Sequence, residues 1–403
     1  MIKKRIMPIK KNNIFFKDKK EIYSADHVRL IHSGANYFDT LEELINNAQH
    51  TLHFQIYIFD ADETGLRIAN ALKAAAQRGV LVFLVLDGFG SINIPKKFIS
   101  DITNAGVNFR YFSPFFSMQN IYIGRRLHHK VIVADAKIAL IGGINIANKY
   151  NEDSTKVPWL DYAVLIKGNV CRKAHEICEQ ICRKQFRLKF KYENKLNEFS
   201  TDGNKLISFL QNDRLRKKNQ ICAGYIHSIQ NSKKSVLLVA SYFLPGRKLR
   251  KALETAAKNK VKITIILSGV SDIPLFRLAT SYLYGYLLKH NIEIYEWHKS
   301  VLHGKIAVVD QSWTTIGSFN LNHLSSHASI ELNVGVLNHH FAKDTEKHLY
   351  EIMRDGCNKI VNATQFNFKT KVLGAFAYFI IRTGIKFLAL FPNVKYLYTR
   401  IND

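Results

Sequence analysis

Two kinds of apolar run alternate along the chain. TLHFQIYIF (51–59) and VLVFLVLDG (80–88), and much later SVLLVASYF (235–243) and VKITIILSG (261–269), are near-continuous in Ile, Leu, Val and Phe. That is the mark of strands buried on both faces. Within each pair the intervening stretch repeats its apolar positions at helical spacing, in GLRIANALKAAAQRG (65–79) and GRKLRKALETAAKNK (246–260). Strand, helix and strand recur in the same order and at similar lengths. This predicts two copies of one α/β unit, each a mainly parallel sheet covered by helices on both faces. The first unit is placed at residues 26–200 and the second at 201–345, with the charged stretch 184–205 at their junction. A basic N-terminal arm (1–25) and a C-terminal extension (346–403) flank the pair.

Composition narrows the choice of partner. The 403 residues are 47% hydrophobic, as in a globular protein, and carry a formal net charge of +26. So large an excess points to an anionic partner, either nucleic acid or lipid head groups. Five cysteines, an odd number, argue against a disulfide framework and fit a reducing compartment. Cys171, His175, Cys178 and Cys182 recur at helical spacing and read as small residues on the buried face of a helix rather than as metal ligands. The N-terminus is basic but lacks an apolar core and a cleavage site, so it does not read as a secretory signal. No run reaches the roughly 20 unbroken apolar residues that a spanning helix needs.

The chemistry lies in a duplicated motif. HHKVIVADAKIALIGGIN (128–145) and HGKIAVVDQSWTTIGSFN (303–320) both fit H-x-K-x4-D-x6-G-[GS]-x-N. His128, Lys130, Asp135, Gly142, Gly143 and Asn145 match His303, Lys305, Asp310, Gly317, Ser318 and Asn320, each pair 175 residues apart. The register selects His128 over its neighbour His129, which reads as a surface or packing residue. Residues two apart on a strand share a face, so each His–Lys pair projects into one cleft. Asp135 and Asp310 have the opposite parity and read as structural. Gly143 and Ser318 are expected to let backbone amides approach a phosphate, and Asn145 and Asn320 to donate to its oxygens. Two histidines and two lysines suit metal-independent phosphodiester chemistry. One imidazole attacks phosphorus, the other transfers protons to and from the alcohols, and the ammonium groups stabilise charge. Each imidazole needs a partner on its second nitrogen. Asp161 and Glu331 follow their motifs at comparable distances, each at the opening of a strand-like run.

At these residues the chain resembles the phospholipase D superfamily, known for paired HKD motifs, and within it the short bacterial cardiolipin synthases that lack N-terminal transmembrane helices. The likeness extends to HSGANYFDTLEELINNAQHTLHFQIYIF, LKAAAQRGV, AGVNFRYF and the W-x-D of Trp159 and Asp161, and covers most of residues 28–345. The resemblance implies two pseudo-symmetric α/β/α halves sharing one active site, with no metal or other cofactor. It implies that the catalytic set is His128, Lys130, Asp135, His303, Lys305 and Asp310, with His128 as nucleophile. It implies phosphatidyl transfer through a phosphohistidine, two phosphatidylglycerols giving cardiolipin and glycerol. Gly143 departs from the superfamily pattern, which often has Ser at that position, as Ser318 does here.

The expected partners are phosphatidylglycerol, related anionic phospholipids and the cytoplasmic face of the cell membrane, with no nucleic acid. KVLGAFAYFIIRTGIKFLALF (371–391) is apolar with Lys371, Arg382 and Lys386 near one helical face, and reads as an interfacial helix or as one that packs on the globular body. FSPFFSMQNIYIG (112–124) and PLFRLATSYLYGYLL (274–288), each just before a motif, are candidate lipid contacts or core. Three rivals share these features: a hydrolytic phospholipase D, a nuclease of the same superfamily and a membrane-binding pseudoenzyme. The intact motifs weigh against the pseudoenzyme, and the apolar basic tail and the aromatic stretches weigh against the nuclease.

Overall fold

The computed structural model describes residues 21–114, 116–117, 120–151, 157–186, 205–213, 216–322, 325, 329–362, 368–390 and 393–395. Most of the basic arm, through residue 20, and residues 187–204 of the junction lie outside them. The first half contributes strands β1 (His27–His32), β2 (Thr51–Ile56), β3 (Leu81–Asp87), β4 (Asn108–Phe112), β5 (Lys130–Ala134), β6 (Ile138–Gly142) and β7 (Tyr162–Lys167). The second contributes β8 (Lys205–Asp213), β9 (Ser235–Ala240), β10 (Lys262–Val270), β11 (Glu293–Val301), β12 (Lys305–Val309), β13 (Trp313–Gly317) and β14 (Ser329–Leu337). The first sheet runs β1-β7-β6-β5-β2-β3-β4, and the second repeats it as β8-β14-β13-β12-β9-β10-β11. The duplication read from the motifs is therefore a duplication of topology.

The sheets are mixed, not mainly parallel. Among the described residues, the β2–β3 and β3–β4 pairs and their counterparts β9–β10 and β10–β11 are parallel, as is the short strand Arg126–Leu127 on β14. The remaining pairs in each sheet are antiparallel. The reason is local. β5 turns into β6 through Asp135 and Ala136, at φ 52° and 54°, and β12 turns into β13 through Asp310 and Gln311, at φ 52° and 49°. Two consecutive left-handed residues reverse the chain tightly, so these strands form hairpins without a crossover helix.

Helices Ala35–Asn46 and Glu63–Gln77 cover the outer face of the first sheet, and Gln220–Asn231 and Arg247–Lys258 that of the second. The inner faces meet in a third core, where Val131, Ile141 and Val164 join Val239, Ile306 and Val334, all fully or almost fully buried. Helices Cys171–Phe186 and His339–Gly356 lie in this middle layer. Each buried Val, Leu or Ile contributes roughly 1.5–3 kcal/mol, so the layer holds the two halves together. The second sheet also takes strands from beyond the expected boundaries. Tyr23–Ala25 pairs with β8, and Cys357–Ile360 with β11. The boundary expected at residue 345 falls inside helix His339–Gly356. Among the described residues, no helix is long and apolar enough to cross a membrane.

Candidate active site

Both motif histidines stand just before a strand, His128 ahead of β5 and His303 ahead of β12. Each is fixed by a backbone bond to the other half. His128 N–H donates to Ile330 O at 3.0 Å, and His303 N–H to Leu160 O at 2.8 Å. The residue after each of those carbonyls bears a carboxylate. His128 Nδ1 therefore meets Glu331 Oε2 at 2.9 Å, and His303 Nδ1 meets Asp161 Oδ2 at 2.5 Å. Sequence distance pairs Asp161 with His128 and Glu331 with His303. The structure crosses them, because the short strand Arg126–Leu127 pairs with Ser329–Ile330 of the second half, and Leu160 bridges Leu302 in the same way. Both carboxylates are fully buried.

The Gly-Gly and Gly-Ser pairs do not face a phosphate. Gly143 N–H is bonded to Tyr162 O, and Ser318 N–H to Leu332 O, so both amides continue the antiparallel ladders. The Ser318 hydroxyl donates its one proton to Glu331 Oε2 at 2.5 Å. A Cβ added at Gly143 would lie 2.4 Å from Asp161 Oδ1. The departure at Gly143 thus has a steric cause, since the shorter Asp161 occupies the space that a side chain at 143 would need. These two residues back the carboxylates. Asn145 is held at both ends, its Oδ1 accepting from Ile58 N–H and its Nδ2 donating to Tyr150 Oη, so only its second Nδ2 hydrogen remains for a ligand. Asn320 Oδ1 accepts from Ser241 Oγ at 2.8 Å.

Both ammonium groups are buried, Lys130 at 1% and Lys305 at 2% exposure. Lys130 donates to His128 O at 2.6 Å and lies over the Tyr57 ring. Lys305 donates to His303 O, and its Nζ is 3.7 Å from Asp161 Oδ2. Burial, with repulsion from Lys305, pushes Lys130 down to about 7, although Glu331 and Asp161 oppose the shift. Burial lowers Lys305 as well. Burial and the charge on Lys305 bring His303 down to about 4 against the pull of Asp161, and burial lowers His128 against that of Glu331. Burial thus works against the charged form of all four groups, the two imidazoles and the two ammonium groups. An anion placed beside them would raise the basicity of all four.

The motif aspartates do not belong to this cavity. Asp135 accepts from the backbone N–H groups of Gln49, His50 and Thr51 at 2.7–2.9 Å. Asp310 does the same for Lys233, Lys234 and Ser235 at 2.7–3.0 Å. Each carboxylate closes the turn into the second strand of its half. Both aspartates thus have the structural setting that strand parity predicts. His129 is a packing residue, 1% exposed, with Nε2 2.8 Å from Gln55 Oε1, and burial pushes it down to about 3.

Sequence reasoning missed the aromatic walls. The Tyr57 ring lies 4.8 Å from that of His128, and those of Tyr150 and Tyr242 lie 5.6 and 6.2 Å from that of His303. Tyr150 Oη also comes within 3.3 Å of His303 Nδ1. The one available signal was an aromatic just past the second strand of each half, in Tyr57 and Tyr242. Cys171, Cys178 and Cys182 are buried on their helix, as read. His175 joins Glu179 and, from β2, His53 in a buried group whose ligand atoms lie within 4.8 Å of one another, the arrangement among the described residues that could hold a metal ion. It shares no side chain with the catalytic set. A cavity of about 730 Å³ on the outer side of the second sheet, lined by Cys222, Ile226, Arg247 and Phe319, holds neither the motif histidines nor the lysines.

A duplicated mixed α/β fold that sets two H-x-K pairs at one interface defines the phospholipase D class of protein. The cardiolipin synthase, phospholipase-D-like domain matches twice, over residues 41–176 and 225–353. The chain is 31% identical over 342 residues to cardiolipin synthase B of Escherichia coli strain K12, covering 83% of this chain and 82% of that protein. It is 28% identical to a cardiolipin synthase of Clostridium perfringens strain 13, covering 86% of this chain and 74% of that one. Among solved structures, phosphatidylserine synthase of Haemophilus influenzae shares the fold, with a TM-score of 0.70 at 15% identity over 92% of this chain and 97% of that one. The chain belongs to the cardiolipin-synthase-like family of the phospholipase D superfamily.

Proposed function

We propose that the protein is a phosphatidyltransferase that joins two phosphatidylglycerols into cardiolipin and releases glycerol. The observation that carries this reading is the pair of crossed histidine–carboxylate bonds beside two buried lysines. With Nδ1 committed to a carboxylate, Nε2 is the nitrogen left to act on phosphorus. His128 Nε2 attacks the phosphorus of the first lipid, and the bond to the glycerol head group breaks. His303, protonated once the anion is bound, gives its proton to the departing oxygen. The phosphatidyl group then rests on His128 as a phosphoramidate. A hydroxyl of a second phosphatidylglycerol gives its proton to His303 and attacks phosphorus, and the phosphorus–nitrogen bond breaks. Lys130 and Lys305 neutralise the equatorial oxygens throughout. The names of the similar proteins from E. coli and C. perfringens support this product.

Two experiments test it. In a host lacking cardiolipin, expression should produce cardiolipin in the lipid extract. Phosphatidic acid alone would point to hydrolysis, and nucleic-acid cleavage without lipid turnover to a nuclease. With labelled phosphatidylglycerol, His303→Ala should accumulate label on the protein and His128→Ala should not. Because the pairs are crossed, Glu331→Gln should slow labelling and Asp161→Asn should slow its discharge. The opposite pattern would make His303 the nucleophile.

A further inference from the structure

Three stretches that the sequence offers as lipid contacts, 112–124, 274–288 and 371–391, lie far apart in the chain and join in space. Helix Phe368–Leu390 rests on helix Pro274–Ser281, with Ala377, Tyr378 and Ile381 turned into the second core. Gly374 permits the close approach, since a Cβ there would lie 2.9 Å from Leu278 O. Beyond the helix, Asn393–Lys395 pairs with Asn120–Gly124, which pairs with Phe116–Ser117 of the first half. One strip thus runs from the second half to the first.

The outward side of its two packed helices is apolar. Phe376 is 64% exposed, Phe379 57% and Leu373 54%, and Ile273 and Leu275 on the adjoining segment are 42% and 43% exposed. Apolar side chains exposed singly need no explanation, but a group of them on touching elements marks an interaction surface. Exposed Lys369 and Lys371 border it at the start of the helix. The strip also begins beside His303. Asp272, next to Ile273, accepts from Tyr242 Oη at 2.7 and 2.6 Å, and the Tyr242 ring lies 5.1 Å from that of Phe276 and 6.2 Å from that of His303.

We infer that this strip is a membrane-docking face, and that what covers it is the surface of an anionic phospholipid bilayer. A folded partner seated here would stop access to His303, whereas a bilayer would present its lipids to it. Phenylalanine and leucine enter the acyl boundary, lysines meet phosphates at its edge, and the net charge of +26 favours the same surface. The helix therefore does both things that its sequence allows, packing with one face and docking with the other. The inference rests on the reading of the substrate as a bilayer lipid.

The test uses the full chain, F376D/F379D and, separately, L275D. It measures co-sedimentation with vesicles of phosphatidylglycerol and phosphatidylcholine, and turnover of a short-chain phosphatidylglycerol kept below its micelle concentration. Each substituted chain should lose about tenfold or more in vesicle partitioning, the scale of withdrawing one large apolar side chain from an apolar phase. Turnover of the monomeric lipid should be unchanged, and this also shows that the chains are folded. Phe379→Leu should sediment as the natural chain does. Sedimentation of the aspartate variants equal to that of the natural chain overturns the docking face. So does a loss of self-association without a change in sedimentation, which assigns the strip to a second copy. If the natural chain sediments and the variants do not, but no chain turns over lipid, the docking face stands and the enzymatic reading falls.

Discussion

The carboxylates of the two half-sites differ by one methylene group. Asp161 holds His303 and Glu331 holds His128, and the residue behind each carboxylate matches its length, Gly143 behind the shorter and Ser318 behind the longer. Gly143→Ala should therefore displace Asp161 and tilt His303, lowering kcat roughly 10²-fold in a protein that still folds. Ser318→Ala removes one bond to Glu331 and should cost about tenfold. Steady-state turnover beside a thermal melt checks both, and full activity in Gly143→Ala would refute the steric account. The histidines and lysines were legible because they are neighbours in the chain and the repeat marks them. The carboxylates were legible as residues but not as partners, because spacing carries no record of which strand crosses to the other half. Tyr57, Tyr150 and Tyr242 look like core aromatics in a sequence, and only the fold turns them toward imidazoles.

Among the elements, the hairpins β5–β6 and β12–β13 carry the aspartates that gave the motif its third letter. Burial opposes the charge on Asp135, but three backbone N–H bonds outweigh it and hold the carboxyl below its ordinary range. Asp135→Ala should lower stability by about 2 kcal/mol, since a hydrogen bond to a charged group is worth more than a neutral one and these are partly solvated. Denaturant titration would measure this, with kcat nearly unchanged below the melting range. A large loss of kcat at full stability would return Asp135 to the catalytic set. The same hairpins explain why a mainly parallel sheet was expected. A strand buried on both faces has the same apolar run in either direction, and these turns carry no glycine at their left-handed positions, so the reversal left little trace.

For the molecule as a whole, the buried histidines set a response to acid. Burial holds His53 and His129 down to about 3, and burial with the Lys305 charge holds His303 down to about 4. In an unfolded chain all three would take up protons near 6.5. Between these values the unfolded state binds more protons than the native one, so stability falls as the pH drops below about 6.5. Each histidine contributes a slope of roughly 1.4 kcal/mol per pH unit. Melting temperature should fall steadily from pH 7 to pH 5, more shallowly in His129→Gln. A flat profile would mean that these side chains are hydrated in the folded protein.

The crossed carboxylates have a consequence for how such a protein could be divided. Neither moiety owns a complete proton-handling pair, so a fragment ending near residue 186 and one starting near residue 205 should each be inert. Mixed or co-expressed, they should regain turnover, much as one moiety by itself could do so only by meeting a twin across a two-fold axis. In this sense the polypeptide is two joined half-sites that complete each other, and a lesion in one carboxylate is felt at the imidazole of the other half.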